Sequence, residues 1–350
     1  MKGNAMKAHT RSPRALGLRR VTVVGATLAV LMTGACGGTT TTAPVDKSAP
    51  SDDMHKSFHT APAVFADDAY LSNSGDYIDA AKDTWDAKAR TVKIELKEMS
   101  FTPKNLTLEA GKPYVIELVN SGKVKHEFTA SKFFRSAAIR KIETNASEVK
   151  APFFTEIEVL AGKTVKLFVI PVTTGSFETL CEIPGHLEAG MKGTISVKGT
   201  KPAAPAEKLG SVKTGVWLQN GADLVKAASA TWDAKASKVQ IEAGENGAKM
   251  FFKPDNIVLK VGVPAQIKLV NSGKVKHEYT SASFFPTMAF RKAEDAFGEY
   301  KSPLLKEAEV KVGQSLELFV IPTKVGKFTI VCLIPGHEKA GMFGTITVTK

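Results

Sequence analysis

An all-β protein, two Greek-key β-sandwiches in tandem with a short helix at the start of each, is what the sequence predicts, and three features carry that expectation. The chain is written twice, with long segments of its first half recurring 147 to 151 residues later. Within each copy, short β-branched and aromatic runs are separated by turn residues, the pattern of an antiparallel sandwich. One amphipathic helical pattern opens each copy. The 350 residues, 43% of them hydrophobic, leave room for about two or three domains with packed cores.

The repeat is read directly. Val119-Asn-Ser-Gly-Lys-Val-Lys-His126-Glu127 recurs as Val270 to Glu278, and Leu167-Phe-Val-Ile-Pro171 recurs as Leu318 to Pro322. Ile183-Pro-Gly-His186 recurs as Ile334 to His337, and both are followed by Ala-Gly-Met-x-Gly-Thr-Ile-x-Val. These matches share an offset of 151, whereas Thr84-Trp-Asp-Ala-Lys-Ala89 matches Thr231 to Ala236 at 147, so four residues are added near Gly244 to Ala248. Units of this size are whole domains, since solenoid repeats are far shorter.

Each copy opens on a helix whose apolar residues fall at i, i+3 and i+7: Ile78, Ala81 and Trp85, then Val225, Ala228 and Trp232. The two tryptophans are expected as core anchors. Strands are expected at Val92–Leu96, Tyr114–Val119, Val165–Ile170, Phe177–Cys181 and Gly193–Val197, with Ala110-Gly-Lys-Pro113, Asn120-Ser-Gly122 and Thr173-Thr-Gly175 as turns. Residues 131–153 break the pattern. An irregular or partly helical excursion is expected there, mirrored by 282–304.

Residues 1–36 have the layout of a secretory signal: six basic residues, the apolar stretch Val21 to Met32, then small residues before Cys36. Cys36 resembles a lipoprotein box, although Thr33 stands where Leu is usual, and is the candidate lipidation site; ordinary cleavage with an incidental cysteine is the alternative. Arg19-Arg20 also fits a twin-arginine signal. Either way the protein is expected outside the cytoplasm, in the periplasm or on the outer face of a bacterial membrane. It would touch that membrane only through a lipid at Cys36. The leader's six positive charges leave with it, so the formal net charge of +12 becomes +6, which gives no reason to invoke nucleic acid. Residues 37–64 read as a flexible tether, in which His55 and His59 belong to a solvated tail. The first domain then spans 65–199, a Pro/Ala-rich linker 200–211 and the second domain 212–350.

Three cysteines are too few for a disulfide framework, and leftover single cysteines in an exported protein call for a chemical explanation. The candidate metal ligands are His126, Cys181, His186 and Met191 in the first copy, and His277, Cys332, His337 and Met342 in the second. Both sets have the spacing Cys-x4-His-x4-Met, with the other His 55 positions before the Cys. Two imidazoles and a thiolate suit a trigonal copper site with a thioether as weak axial contact. A lone buried Cys or His is ordinarily core. Four candidate ligands at one spacing, twice over, are not ordinary.

These residues resemble the cupredoxin family, of the plastocyanin and azurin type. Cys-x-x-Pro-Gly-His followed by Gly-Met-x-Gly is similar to its copper loop, and Phe101-x-Pro103 and Phe252-x-Pro254 to its early strand. The resemblance covers roughly residues 90–198 and 237–350. It implies an eight-stranded sandwich, one type 1 (blue) copper per domain and hence two per chain, and electron transfer through the edges of His186 and His337. Two departures stand out. Members often carry Asn after the first His and a hydroxyl residue after the Cys, bracing the site, where this chain has Glu127, Glu278, Glu182 and Leu333.

Two-domain cupredoxins include nitrite reductases and small laccases, and both need an additional copper held by further histidines. Of seven histidines here, His9 leaves with the leader, four serve the two sets, and only His55 and His59 remain. Leu180 and Val331 stand before the cysteines, where an oxidase would place His. The protein is therefore expected not to be an enzyme. A copper carrier or copper-sequestering protein is the competing class. The expected partners are redox proteins, with Lys123, Lys125, Lys274 and Lys276 available to steer an acidic one. The loop from Cys to Met carries Glu182 and Glu188 in the first copy but Glu338 and Lys339 in the second, so loop charge alone gives the first copper the lower potential.

Overall fold

The computed structural model describes residues 70–71, 73–203, 217–218 and 220–350. The leader, Cys36, the tether with His55 and His59, and most of the linker lie outside the described residues. Each copy folds as a sheet-rich domain with few short helices, the all-β architecture expected.

The first domain begins with α1 (Ser74–Ala81) and α2 (Trp85–Lys88). Its strands are β1 (Arg90–Lys97), β2 (Ser100–Thr102), β3 (Asn105–Glu109), β4 (Tyr114–Asn120), β5 (His126–Thr129), β6 (Ala137–Glu143), β7 (Ser147–Lys150), β8 (Glu156–Val159), β9 (Thr164–Pro171), β10 (Gly175–Leu180) and β11 (Lys192–Lys198), with α3 (Ser131–Ser136) before β6. The second domain repeats this with α4 (Gly221–Ala228) and α5 (Trp232–Lys235). Its strands are β12 (Ser237–Asn246), β13 (Lys249–Lys253), β14 (Asn256–Lys260), β15 (Ala265–Asn271), β16 (His277–Tyr279), β17 (Met288–Asp295), β18 (Gly298–Lys301), β19 (Glu307–Val310), β20 (Ser315–Pro322), β21 (Gly326–Val331) and β22 (Phe343–Thr349). A single 3-10 turn stands in the place of α3.

Period-2 alternation places the core. β4 and its counterpart β15 both alternate buried and half-buried positions, which puts Tyr114, Ile116 and Leu118 inward in the first domain. The helices lie on the outside of one sheet. Trp85 packs with Tyr77, Ala138, Ile170 and Val172, and Trp232 with Ala289, Phe319 and Ile321, so both tryptophans are the anchors expected. Arg140 and Arg291 close over the two indole rings at 5.2 and 4.9 Å.

The segment expected to be irregular is mostly strand. After one turn of helix, residues 137–150 form the β6–β7 hairpin, and residues 288–301 form β17–β18. These hairpins join the domains. β7 pairs antiparallel with β19, and β8 pairs antiparallel with β18. The registers are related by a pseudo-two-fold: Lys150 stands opposite Glu307, and Lys301 opposite Glu156, residues that exchange under the 151 offset. One sheet of each domain thereby runs on into the other sheet of its neighbour, giving ladders of eight and eleven strands. Only the three strands β14, β22 and β21 stay separate, linked to β16 by the isolated bridge between Thr280 and Val331.

Side chains seal the same junction. Thr144 and Ser147 of the first domain both donate to Asp295 Oδ2 of the second, at 2.7 and 2.6 Å, while Tyr300 donates to Asp295 Oδ1 at 2.8 Å. Ile157 faces Tyr300 and Val149 faces Ala308, all fully buried. Lys306 is an exception to this good pairing. Burial pushes its ammonium below the usual lysine range, opposed by the charge of Asp79. A folded-state pKa below the unfolded value of 10.5 means that the charge costs stability at neutral pH, a cost that vanishes as pH rises to 10.5. Lys306→Met keeps the apolar stem and is expected to raise thermal stability at pH 7, on the order of 1 kcal/mol, with the advantage shrinking toward pH 10. Calorimetry at the two pH values checks this, and a less stable variant at pH 7 would disprove the account.

Candidate metal centre

His126 opens β5, one residue after a lysine-rich turn, and points into the sandwich. Cys181 comes directly after the end of β10, and His186 and Met191 lie on the loop that returns to β11. That loop closes on itself: His186 N–H donates to Ile183 O at 2.9 Å, Met191 N–H to His186 O at 3.0 Å, and Cys181 N–H to Met191 O at 3.1 Å. The second loop repeats these bonds at 3.0, 3.1 and 3.2 Å. Glycines at the corners make the loop possible, since Gly185 and Gly190 have φ of +87° and +99°, where a side chain would be strained. The fold thus holds the donors in place before any metal arrives.

The two expected histidines and the expected cysteine come together in each domain. His126, Cys181 and His186 converge, as do His277, Cys332 and His337, with donor atoms in each group within 4.8 Å of one another. His126 Nδ1 lies 3.3 Å from His186 Nδ1, and His186 Nδ1 lies 3.3 Å from Cys181 Sγ. Cys332 Sγ and His337 Nδ1 are likewise 3.3 Å apart. Donors with such edges sit about 2 Å from a common centre, the bond length of a first-row metal to imidazole. His277 Nδ1 is buried with no hydrogen-bond partner, a polar atom that a bound metal would satisfy. Two neutral nitrogens and a soft sulfur fit copper. Met191 and Met342 are fully buried at the ends of the loops.

The protonation states suit ligation. Burial pushes His126, His277 and His337 below the usual imidazole range, leaving lone pairs free. Burial pushes the Cys181 and Cys332 thiols up, so the thiolate would have to be drawn out by the metal itself. Beside the first His, where the sequence departs from the family's bracing residue, the backbone supplies a contact to the sulfur. Glu127 N–H donates to Cys181 Sγ at 3.3 Å, and Glu278 N–H to Cys332 Sγ at the same distance. It is a backbone contact, so it does not depend on the side chain there. Glu182 and Leu333, after the cysteines, point to solvent.

The Glu127 side chain faces the junction between domains. Burial, then its neighbour Glu156, pushes it up to about 7, and Lys301 of the second domain stands 3.9 Å away. Glu278 is pushed up to about 7 in the mirror position, by burial and then Glu307, with Lys150 as the opposing charge. The turn lysines are only partly free for a partner. Lys125 bridges buried Glu158 at 2.6 Å and Lys276 bridges buried Glu309 at 2.7 Å, which leaves Lys123 and Lys274 exposed. Sequence reasoning passed over Glu98 and Glu245. Their signal was an acid at the same place in both copies, in the hairpin beside the His-bearing turn.

Residues 77–197 match the model of a cupredoxin-like domain family. The chain is 32% identical over 120 residues to the copper-resistant cuproprotein CopI of Rubrivivax gelatinosus, covering 32% of this chain and 69% of that protein. It is 29% identical over 113 residues to CopI of Vibrio cholerae serotype O1, covering 32% of this chain and 66% of that one. Among solved structures, a copper nitrite reductase from Thermus scotoductus SA-01 aligns with a TM-score of 0.30 at 17% identity, over 75% of this chain and 62% of that one. Auracyanin B aligns over 32% of this chain and 91% of its own, with a TM-score of 0.24 and 18% identity.

The turn that presents each first His hangs on one asparagine. Asn120 Nδ2 donates to Val124 O and to Val159 O, both at 2.8 Å, and its Oδ1 accepts Gly122 N–H at 2.9 Å. Asn271 does the same with Val275, Val310 and Gly273. Asn120→Ala removes the donor to the buried carbonyl of Val159 and the part-buried carbonyl of Val124, and is expected to lower the stability of the metal-free protein by about 1–3 kcal/mol. Urea unfolding measures it, and a loss under about 0.5 kcal/mol would show that the turn is held otherwise.

Proposed function

The chain belongs to the cupredoxin-like family, and on that footing we propose that it is an exported electron-transfer protein with one type 1 copper centre per domain. The observation that supports this best is the doubled donor set: two imidazole nitrogens and a thiol, buried, with 3.3 Å edges, at the same place in both domains. When bound, copper supplies reversible one-electron exchange. The chain's own part is to keep the donors from moving. The two histidine side chains and the Cys thiolate would hold the metal, the loop hydrogen bonds fix their separation, and the backbone N–H of Glu127 or Glu278 would disperse charge on the sulfur. Met191 and Met342, buried at the ends of the loops, would offer the thioethers expected from the sequence.

Access is limited to one edge. His126 and His277 are 0% exposed, while His186 and His337 keep 8%, beside the half-buried apolar residues Ile183 and Ile334. Electrons would enter and leave there, from redox proteins for which Lys123 and Lys274 offer positive charge. The likeness to copper-resistant cuproproteins favours a second reading, carriage or sequestration of copper. Donors this deeply enclosed release metal slowly, which favours electron transfer. The four histidines among the described residues are all used in the two triads, so we read the protein as a carrier of electrons and not as an enzyme.

The purified protein is expected to bind two coppers and to show an intense thiolate-to-copper band in its oxidised form. Cys181→Ser and Cys332→Ser should each remove about one of the two coloured sites. Copper-loaded protein that stays colourless would overturn the type 1 assignment. A high-affinity chelator should bleach the colour only slowly, and the colour change should be reversible; extraction within minutes would favour the carrier.

A further inference from the structure

Just outside each triad stands an acid that the ligand set does not use. In the second domain, Glu245 Oε1 lies 3.1 Å from Nε2 of His277. Its other oxygen, Oε2, accepts the backbone N–H of Lys274 at 2.9 Å. A Cβ added to Gly273 would stand 2.5 and 2.7 Å from the two carboxylate oxygens, so the Asn-Ser-Gly turn has glycine where the carboxylate must enter. The carboxylate is thus held from both sides and aimed at a fully buried imidazole.

An imidazole in its neutral form carries one hydrogen, and the acceptor beside it decides where. A carboxylate oxygen 3.1 Å from Nε2 favours the hydrogen on that nitrogen by its charge, which leaves Nδ1 its free lone pair. Neither ring nitrogen of His277 has a partner in hydrogen-bond geometry, but Nε2 has the carboxylate oxygen 3.1 Å away. We propose that Glu245 is a positioning residue of the second metal centre: it fixes His277 as an Nδ1 ligand and, by its negative charge on the outer edge of that ligand, gives the second centre the lower reduction potential. The proposal rests on the copper reading above.

The first domain has the same acid but not the same contact. Glu98 matches Glu245 at the 147-residue offset, and its carboxylate accepts the backbone N–H of Lys123. It makes no ion pair with His126, whose Nε2, like that of His277, is buried without a hydrogen bond, so the two domains differ in the approach of the acid. A Cβ on Gly122 would meet Glu98 Oε1 at 2.9 Å and His126 Nε2 at 3.0 Å, so the acid is adjacent rather than engaged. The cause lies in the four added residues. They lengthen the second hairpin so that β12 runs to Asn246 and Glu245 pairs in register with Met250. β1 instead ends at Lys97, Glu98 lies beyond the ladder, and Met99 turns the chain with φ of 60°.

Loop charge alone gives the opposite order, with the first centre lower. Its acids Glu182 and Glu188 are exposed and so are screened by salt within roughly 8–10 Å. A carboxylate at hydrogen-bond distance from a ligand's own ring is neither screened nor distant, and it dominates.

The test uses the full chain in two single-centre forms, Cys181→Ser and Cys332→Ser, loaded with copper and titrated for potential. The second centre is expected to have the lower value. Glu245→Gln keeps an acceptor and removes the charge; it should raise that potential and weaken Cu(II) binding roughly 10–100-fold, with Glu98→Gln moving the first centre less. A second measurement needs no copper. Nitrogen-15 NMR of the imidazoles in the metal-free full chain should find His277 with its hydrogen on Nε2, kept in Glu245→Gln and lost to a mixture in Glu245→Ala. An unchanged potential in Glu245→Gln, or an unchanged His277 tautomer in Glu245→Ala, overturns the proposal. Failure of the copper reading itself would appear separately, as an absent thiolate band with the tautomer result intact.

Discussion

The two antiparallel ladders that join the domains, β7 with β19 and β8 with β18, are the constraint on which the rest of the molecule depends. Each domain alone would end in an open edge, a row of unpaired backbone donors and acceptors that invites aggregation. Each closes the other's edge in one pseudo-two-fold arrangement. β5, which carries His126, pairs directly with β8, and β16, which carries His277, pairs with β19. The strand that presents the first ligand of each centre is therefore one strand away from the other domain.

Closing the edges this way buries charge. Glu148, Glu156, Glu158 and Glu309 are all buried at or beside the ladders. Each has a lysine. Lys141 reaches Glu148 at 2.5 Å, Lys301 crosses to Glu156 at 2.6 Å, Lys125 takes Glu158 and Lys276 takes Glu309. Lys150 crosses the other way to Glu307 at 2.5 Å. Buried pairs of this kind add little net stability, but losing one partner leaves an uncompensated charge and costs about 3–5 kcal/mol. They act as registry: only one alignment of the domains gives every acid its base. The same network sets the field at both centres, since Lys301 and Lys150 lie beside the acids that follow His126 and His277.

Much of this was legible in the sequence, because the donors are residue types with a chemistry and the repeat supplied its own control. The helices with their tryptophan anchors and most strands followed from period. The β6–β7 and β17–β18 hairpins did not. Ser147-Glu-Val-Lys150 and Gly298-Glu-Tyr-Lys301 alternate charged and apolar residues, which reads as a surface, and 131–153 was accordingly expected to be irregular. Their charges are buried because the neutralising partner stands in the other copy, about 150 residues away, where no local pattern can point. The domains also have eleven strands each where the resemblance implied eight. The brace at the sulfur was hidden for a different reason: it is a backbone N–H, and side-chain identity at Glu127 and Glu278 says nothing about it.

Identical donors in two copies leave only their surroundings to make the centres differ. The differences are concrete. Where the first domain has Glu182 and Lys192 next to its Cys and Met, the second has Leu333 and Phe343, which are 55% and 57% exposed. Where the first leaves Glu98 short of His126, the second brings Glu245 to 3.1 Å from His277. None of these changes touches a donor, a loop glycine or a core position, so each is tolerated by the fold without loss of the site. A duplicated site held rigidly by backbone bonds can diverge in this way. The loop fixes what binds, and the hairpin beside it and the skin around it remain free to set how strongly each charge state is favoured.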